Sequence, residues 1–142
     1  MTISKFQKFT LLIAGLTALG IGGFIMTAPR LFYSYYGIEL GHNPDLLSEL
    51  RGLAAGLATL GSIMLAGLFR PALAHLASAV ALTVFLAFPL GRLISLALDG
   101  LPSADILGAL GIELAIGALC VAAFWRRSTW TVEAPEDYGT PY

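Results

Sequence analysis

Four long apolar runs, separated by short polar breaks, organise the chain. They cover about 9–26, 46–69, 72–98 and 106–125. An α-helix needs roughly 20 residues to cross the hydrocarbon of a bilayer, so each run predicts a membrane span. The breaks carry stop and start signals. Asn43 is a favoured N-cap, Pro44 fits the first helical position and Asp45 complements the helix dipole, so the second helix is predicted to begin there. Arg70-Pro71 ends it. Asp99-Gly100-Leu101-Pro102 reads as a turn, Ser103 can cap the fourth helix, and Trp125-Arg126-Arg127 closes that helix.

Lys5 and Lys8 ahead of the first run resemble the start of a signal peptide. The run is longer than the roughly 7–15 residues of an h-region, and no Ala-x-Ala-like cleavage site precedes Pro29, so it is read as a retained span. Short connections make sequential helices antiparallel neighbours. The predicted fold class is therefore all-α: an integral membrane four-helix bundle, up-down-up-down, over 1–127, followed by a polar, Pro-containing, flexible cytoplasmic tail over 128–142.

An even number of spans puts both termini on one side. With the N-terminus inside, Lys5, Lys8, Arg70, Arg126 and Arg127 are cytoplasmic, and Arg30, Arg51 and Arg92 lie at the outer side. That distribution satisfies the positive-inside rule and predicts a multi-pass protein of the cell (inner) membrane with both termini cytoplasmic. Tyr33, Tyr35 and Tyr36 fit an outer aromatic belt; Trp125 and Trp130 fit an inner one.

Composition agrees with a lipid-facing surface. Hydrophobic residues make up 57% of the 142, charged residues 12%, and the mean hydropathy is +0.81. A soluble domain carries about 25% charged residues, so the lipid bilayer is the expected environment. A formal net charge of −1 offers no basic face for a nucleic-acid partner. Cys120 is the single cysteine, which leaves no intrachain disulfide and suits a small buried filler.

Against that background Glu113 stands out, in the middle of the otherwise uncharged run Ile106–Trp125. A carboxylate there must be neutral, paired, or facing a polar cavity. Its helical neighbours Ala109, Gly117 and Cys120 are small, so this face is predicted to point into the bundle, where another helix can approach. Arg92, near the end of the third span, follows Pro89 by three residues and shares its face with Phe85, Phe88, Ser95 and Asp99. The proline removes a helical hydrogen bond and predicts a kink below an inward guanidinium. A snorkelling arginine that merely ends the span explains the same residue. Arg51 opens the membrane part of the second span, on a face continued by Ala54, Ala55, Ala58 and Ser62, with Gly52 and Gly56 as a neighbouring close-packing stripe.

Arg51, Arg92 and Glu113 can thus converge in the outer half. Glu113 is expected to pair with Arg92 or Arg51, with Ser95 and Asp99 around them. Such a cluster serves either as a buried ion pair that fixes helix register or as a functional site. No GxGxxG, Walker loop, CxxC or helical His-x-x-x-His occurs, and no cofactor or metal is expected. His42, Asp45 and Glu49 near a helix start are explained by capping and solubility, and the spans contain no pair of inward histidines for heme.

Ser48-Glu49-Leu50-Arg51-Gly52, Gly91-Arg92 with Ser95, Asp99-Gly100-x-Pro102, and Glu113-Leu114 together resemble a bacterial family of small four-span membrane proteins filed as a domain of unknown function, with a distant similarity to DoxX-like proteins. The resemblance spans roughly 9–125 and implies fold and topology but assigns no residue a role; its DoxX-like side hints at redox or quinone-associated partners. The expected function is a multi-pass membrane protein that binds a lipophilic small molecule or a membrane-protein partner through a polar pocket in the outer half. The alternative is a small membrane enzyme using a buried carboxyl, Glu113 or Asp99, as general acid/base on an isoprenoid, quinone or sterol-like substrate. A transport pathway would require a homo-oligomer.

Overall fold

The structure, a computed structural model, describes residues 3–125. The predicted tail over 128–142, with Arg126, Arg127 and Trp130, lies outside the described residues. Helix α1 spans Lys5–Thr27, so it begins before the first apolar run. The reason is a capping box: Ser4 Oγ accepts from the Gln7 N–H at 3.2 Å, and Gln7 Oε1 accepts from the Ser4 N–H at 2.9 Å.

A short helix that the apolar pattern does not predict follows directly. Helix α2, Pro29–Ser34, starts on a proline and ends in a Schellman motif: the Ile38 N–H reaches Tyr33 O at 3.1 Å and the Gly37 N–H reaches Ser34 O at 3.0 Å. Gly37 takes φ +70°, which that turn demands.

Helix α3, Pro44–Phe69, is capped by Asn43, whose Oδ1 accepts from the N–H groups of Asp45 (2.9 Å) and Leu46 (3.4 Å). A 3₁₀ turn over Pro71–Leu73 leads into α4, Ala74–Asp99. This helix runs unbroken through Pro89 and stops where Gly100 turns to φ +92°. Helix α5, Ala104–Phe124, is capped by Ser103, its Oγ accepting from the Ile106 N–H at 3.5 Å.

The four long helices form an up-down-up-down bundle in which α1 packs on α3, α3 on α4, α4 on α5 and α5 back on α1. Leu11, Ala14, Met64, Ala77, Ala81 and Cys120 are fully buried in its core. Large apolar side chains on every long helix stay exposed, among them Leu16, Leu53, Leu90 and Ile112. Exposed apolar surface on that scale belongs against lipid.

Helix α1 meets α3 backbone to backbone. A Cβ built on Gly61 would stand 2.5 Å from Leu19 N, and one on Gly22 would stand 2.6 Å from Ala54 O and Ala58 N. The expected stripe of Gly52 and Gly56 is not that contact: a Cβ at either would meet nothing within 4 Å, and both are exposed. The close approach lies on the face of Ala54, Ala58 and Gly61, because that face, and not the Gly52 face, is turned toward α1. Helices α1 and α5 touch at the end of the bundle that holds residue 5 and residue 124, where Gln7 Nε2 donates to Ala123 O at 2.9 Å. Toward the opposite, distal end, which carries α2 and the α4–α5 turn, they leave a cavity between them.

Candidate functional site: a cavity beside an intramembrane ion pair

The pair at the site is built by two features a turn apart. Pro89 lacks an N–H, so the Phe85 carbonyl loses its usual helical donor. Gly117 lets α5 lie directly against that carbonyl: a Cβ there would be 2.5 Å from Phe85 O. One turn from Gly117 on α5 sits Glu113, and one turn beyond Pro89 on α4 sits Arg92. Close approach at Phe85 and Gly117 thereby sets the two charged side chains face to face.

Arg92 Nε donates to Glu113 Oε2 at 2.8 Å and Arg92 Nη2 donates to Oε1 at 3.0 Å. This fork-to-fork arrangement is the strong form of a guanidinium–carboxylate contact. Glu113 keeps only 11% of its side chain exposed and Arg92 keeps 34%. Nine residues of α5 separate Glu113 from Ala104, a depth of about 14 Å at 1.5 Å per residue. Both ends of the pair are thus inside a membrane-spanning segment, where either alone would be costly.

The other residues singled out from the sequence make no hydrogen bond to this pair. Arg51 is exposed and its Nε donates to Met26 O at 3.1 Å, satisfying a carbonyl in the last turn of α1. Ser95 Oγ donates to Asp99 Oδ2 at 2.8 Å, an exposed hydrogen bond along α4 that includes neither Arg92 nor Glu113. Asp99 is exposed at the helix end. Arg30 Nε donates to Gly41 O at 2.9 Å and closes the loop after α2. Among the described residues, no three His, Cys, Asp or Glu side chains gather as a metal site would require.

Arg92 and Glu113 form part of the wall of a cavity of about 580 Å³. Thr17, Ile21 and Ile25 of α1 line one side, Phe85 and Phe88 of α4 another, and Ala104 to Glu113 of α5 a third. Phe32, Tyr33, Tyr35 and Tyr36 cover it at the distal end. That cover is locked by aromatic contacts: Phe24 meets Phe32 edge-on at 5.4 Å and Tyr35 at 6.3 Å, and Phe32 meets Tyr36 at 5.4 Å. The cavity is open to the surface, with Ile112 60% and Tyr35 67% exposed along its edge. Burial raises the Tyr33 phenol above its ordinary pKa; the Arg92 charge pulls against this and Tyr36 adds to it. The phenol therefore stays protonated, a hydrogen-bond donor at the cavity wall. A second, smaller cavity of about 80 Å³ lies behind Arg92, lined by Ser95, Pro102 and Leu110 among others.

Several wall residues give no signal of a site in the sequence. Thr17 and Ile21 look like any membrane-facing positions, and the charge of Asp105 reads as that of an ordinary first-turn acid. Density of aromatic residues was the available clue for the cover: Phe32-Tyr33-Ser34-Tyr35-Tyr36 ending on Gly37 is more than a belt needs.

No curated protein and no solved structure matches the chain. One family model does, over residues 6–124, from the first turn of α1 to the end of α5. The chain belongs to the family described as Domain of unknown function (DUF4345).

Proposed function

We propose that this multi-pass membrane protein holds a lipophilic ligand in the cavity between α1, α4 and α5, with its polar end against Arg92 and Tyr33. The observation that carries the reading is the cavity of about 580 Å³, apolar over most of its wall, with a forked ion pair at one place. Ligand sites are typically clefts of about 300–1,000 Å³ with a few convergent polar groups on apolar walls, and helix bundles place them between helices. Orientation with both termini cytoplasmic, as the arginine and lysine distribution suggests, puts this cavity in the outer half.

Native mass spectrometry of protein purified in mild detergent tests the reading. The native protein is expected to retain a lipophilic molecule that Gly108→Leu loses, with affinity falling about tenfold or more. Gly108 lines the cavity and a Cβ there would meet nothing within 4 Å, so the added side chain starts in open space at the cavity wall. Equal retention in both proteins would overturn the assignment. The enzyme alternative has less support: Glu113 makes hydrogen bonds only to Arg92 among the described residues, and Asp99 only to Ser95.

A further inference from the structure

Charge at the cavity wall narrows what can occupy it. The ionisable side chains lining it, tyrosines aside, are Arg92, Glu113 and Asp105. Arg92 and Glu113 neutralise each other through two hydrogen bonds, so no uncompensated cation remains to receive a phosphate or carboxylate. Asp105, exposed in the first turn of α5, leaves the wall one negative charge in excess. An anionic head group would enter against that charge.

A cationic head group would find its only unpaired carboxylate among these side chains at Asp105, eight residues and about 12 Å along α5 from Glu113. At the ion pair itself both Glu113 oxygens are taken by Arg92, so a cation has no acceptor there. A guanidinium has five N–H groups, of which the fork to Glu113 uses two. The remaining three have no protein acceptor among the described residues, and Arg92 lines the cavity. In a membrane interior such donors call for an acceptor from a ligand or water. The Tyr33 hydroxyl adds another donor at the same wall.

Shape and access point the same way. A water occupies about 30 Å³ in the liquid, so 580 Å³ takes roughly twenty atoms of that size, a head and much of one chain. The edge at Ile112 and Phe88, 60% and 45% exposed on helices that face lipid, gives entry from the side of the bundle.

Resting on the binding reading above, we infer that the ligand is an uncharged amphiphile: a single chain whose head offers acceptor oxygens, such as an ester, carbonyl or hydroxyl, to Arg92 and Tyr33. The compensated ion pair leaves a charged head group no counter-ion beside those donors.

Three probes with one oleoyl-type chain test this: monoolein, 1-oleoyl lysophosphatidate, which adds only a phosphate, and oleylamine. Each is titrated into the full-length protein in mild detergent and read by native mass spectrometry. Monoolein is expected to bind at least tenfold more tightly than either charged probe, and Gly108→Leu to abolish the difference by weakening monoolein. Glu113→Gln uncovers the Arg92 charge and is expected to shift the preference at least tenfold toward lysophosphatidate. Lysophosphatidate or oleylamine binding to the native protein as tightly as monoolein, with loss in Gly108→Leu, would overturn the neutral-ligand inference and leave the binding reading standing. Binding of no probe, with no ligand retained on purification, would overturn both. The comparison in the native protein decides the matter even if Glu113→Gln fails to fold.

Discussion

Glu113→Ala is expected to destabilise the bundle by about 3 kcal/mol, while the double replacement Arg92→Leu/Glu113→Leu is expected to stay within about 1 kcal/mol of the native protein. The asymmetry follows from what each change leaves behind. Alanine at 113 strands a guanidinium about 10 Å inside α4 with its two fork partners gone. An arginine cannot shed its charge, so it must snorkel outward and disturb the packing around Pro89, or stay and bear the desolvation. Arg92 keeps about a third of its side chain exposed, which places the cost at the low end of the range for a buried pair. Arg92→Leu alone should be milder, because a carboxylic acid stranded in hydrocarbon can become neutral by taking a proton. Removing both partners leaves no charge to desolvate and two apolar side chains to pack.

Equilibrium unfolding in mixed detergent micelles, followed by circular dichroism, measures all four proteins in one cycle. A double variant as unstable as Glu113→Ala would show that the pair contributes something other than mutual charge compensation. Coupled with ligand retention the cycle separates two roles. A stable double variant that no longer holds a ligand makes the pair a functional element; one that holds it as before makes it a register device.

The membrane spans and their turns could be read from the chain because their causes are local. Apolar runs of span length, Asn43-Pro44 at a helix start and Asp99-Gly100 at a helix stop act within a few residues of themselves. Glu113 could be singled out for the same reason, being the one charge in its run. Its partner could not. Arg51 and Arg92 lie at comparable depth, and the choice between them is a matter of helix order and rotation: α5 packs on α4, whereas Arg51 of α3 faces the end of α1 and reaches Met26 O. A polar pocket was expected, but its walls and extent were beyond reach for a related reason. It arises where α1 and α5, at opposite ends of the chain, touch near Gln7 and Ala123 but not at their other halves. Apolar periodicity reports which face of a helix is buried; it holds no record of how far apart two buried faces stand. The capping box at Ser4 and Gln7 was legible but lay outside the apolar run, and α2 was too short to leave a periodic trace.

The same limit decides which glycines matter, and it yields a prediction in which one substitution changes its effect with position. Gly61→Ala is expected to cost about 2 kcal/mol, within the range of about 1–3 kcal/mol for overpacking. Gly52→Ala, nine residues earlier on the same helix, is expected to stay within about 0.5 kcal/mol of the native protein. At Gly61 the new methyl would sit 2.5 Å from Leu19 N, 2.9 Å from Gly15 O and 3.0 Å from Leu19 Cα, all backbone atoms of α1. Backbone cannot rotate away as a side chain end can, so α1 must move off α3. That movement would loosen contacts at Gly15 and Gly22 and shift the α1 wall of the cavity at Thr17 and Ile21. At Gly52 there is open space, and the usual helix-propensity gain of alanine shrinks because a membrane-embedded helix keeps its backbone bonded whether or not it is packed. Micelle unfolding of the two single variants checks the contrast, and equal effects at both positions would mean that α1 and α3 do not meet through Gly61. A loss of ligand by Gly61→Ala, with none by Gly52→Ala, would extend the argument from packing to function, since the α1–α3 contact is what holds the far wall of the cavity in place.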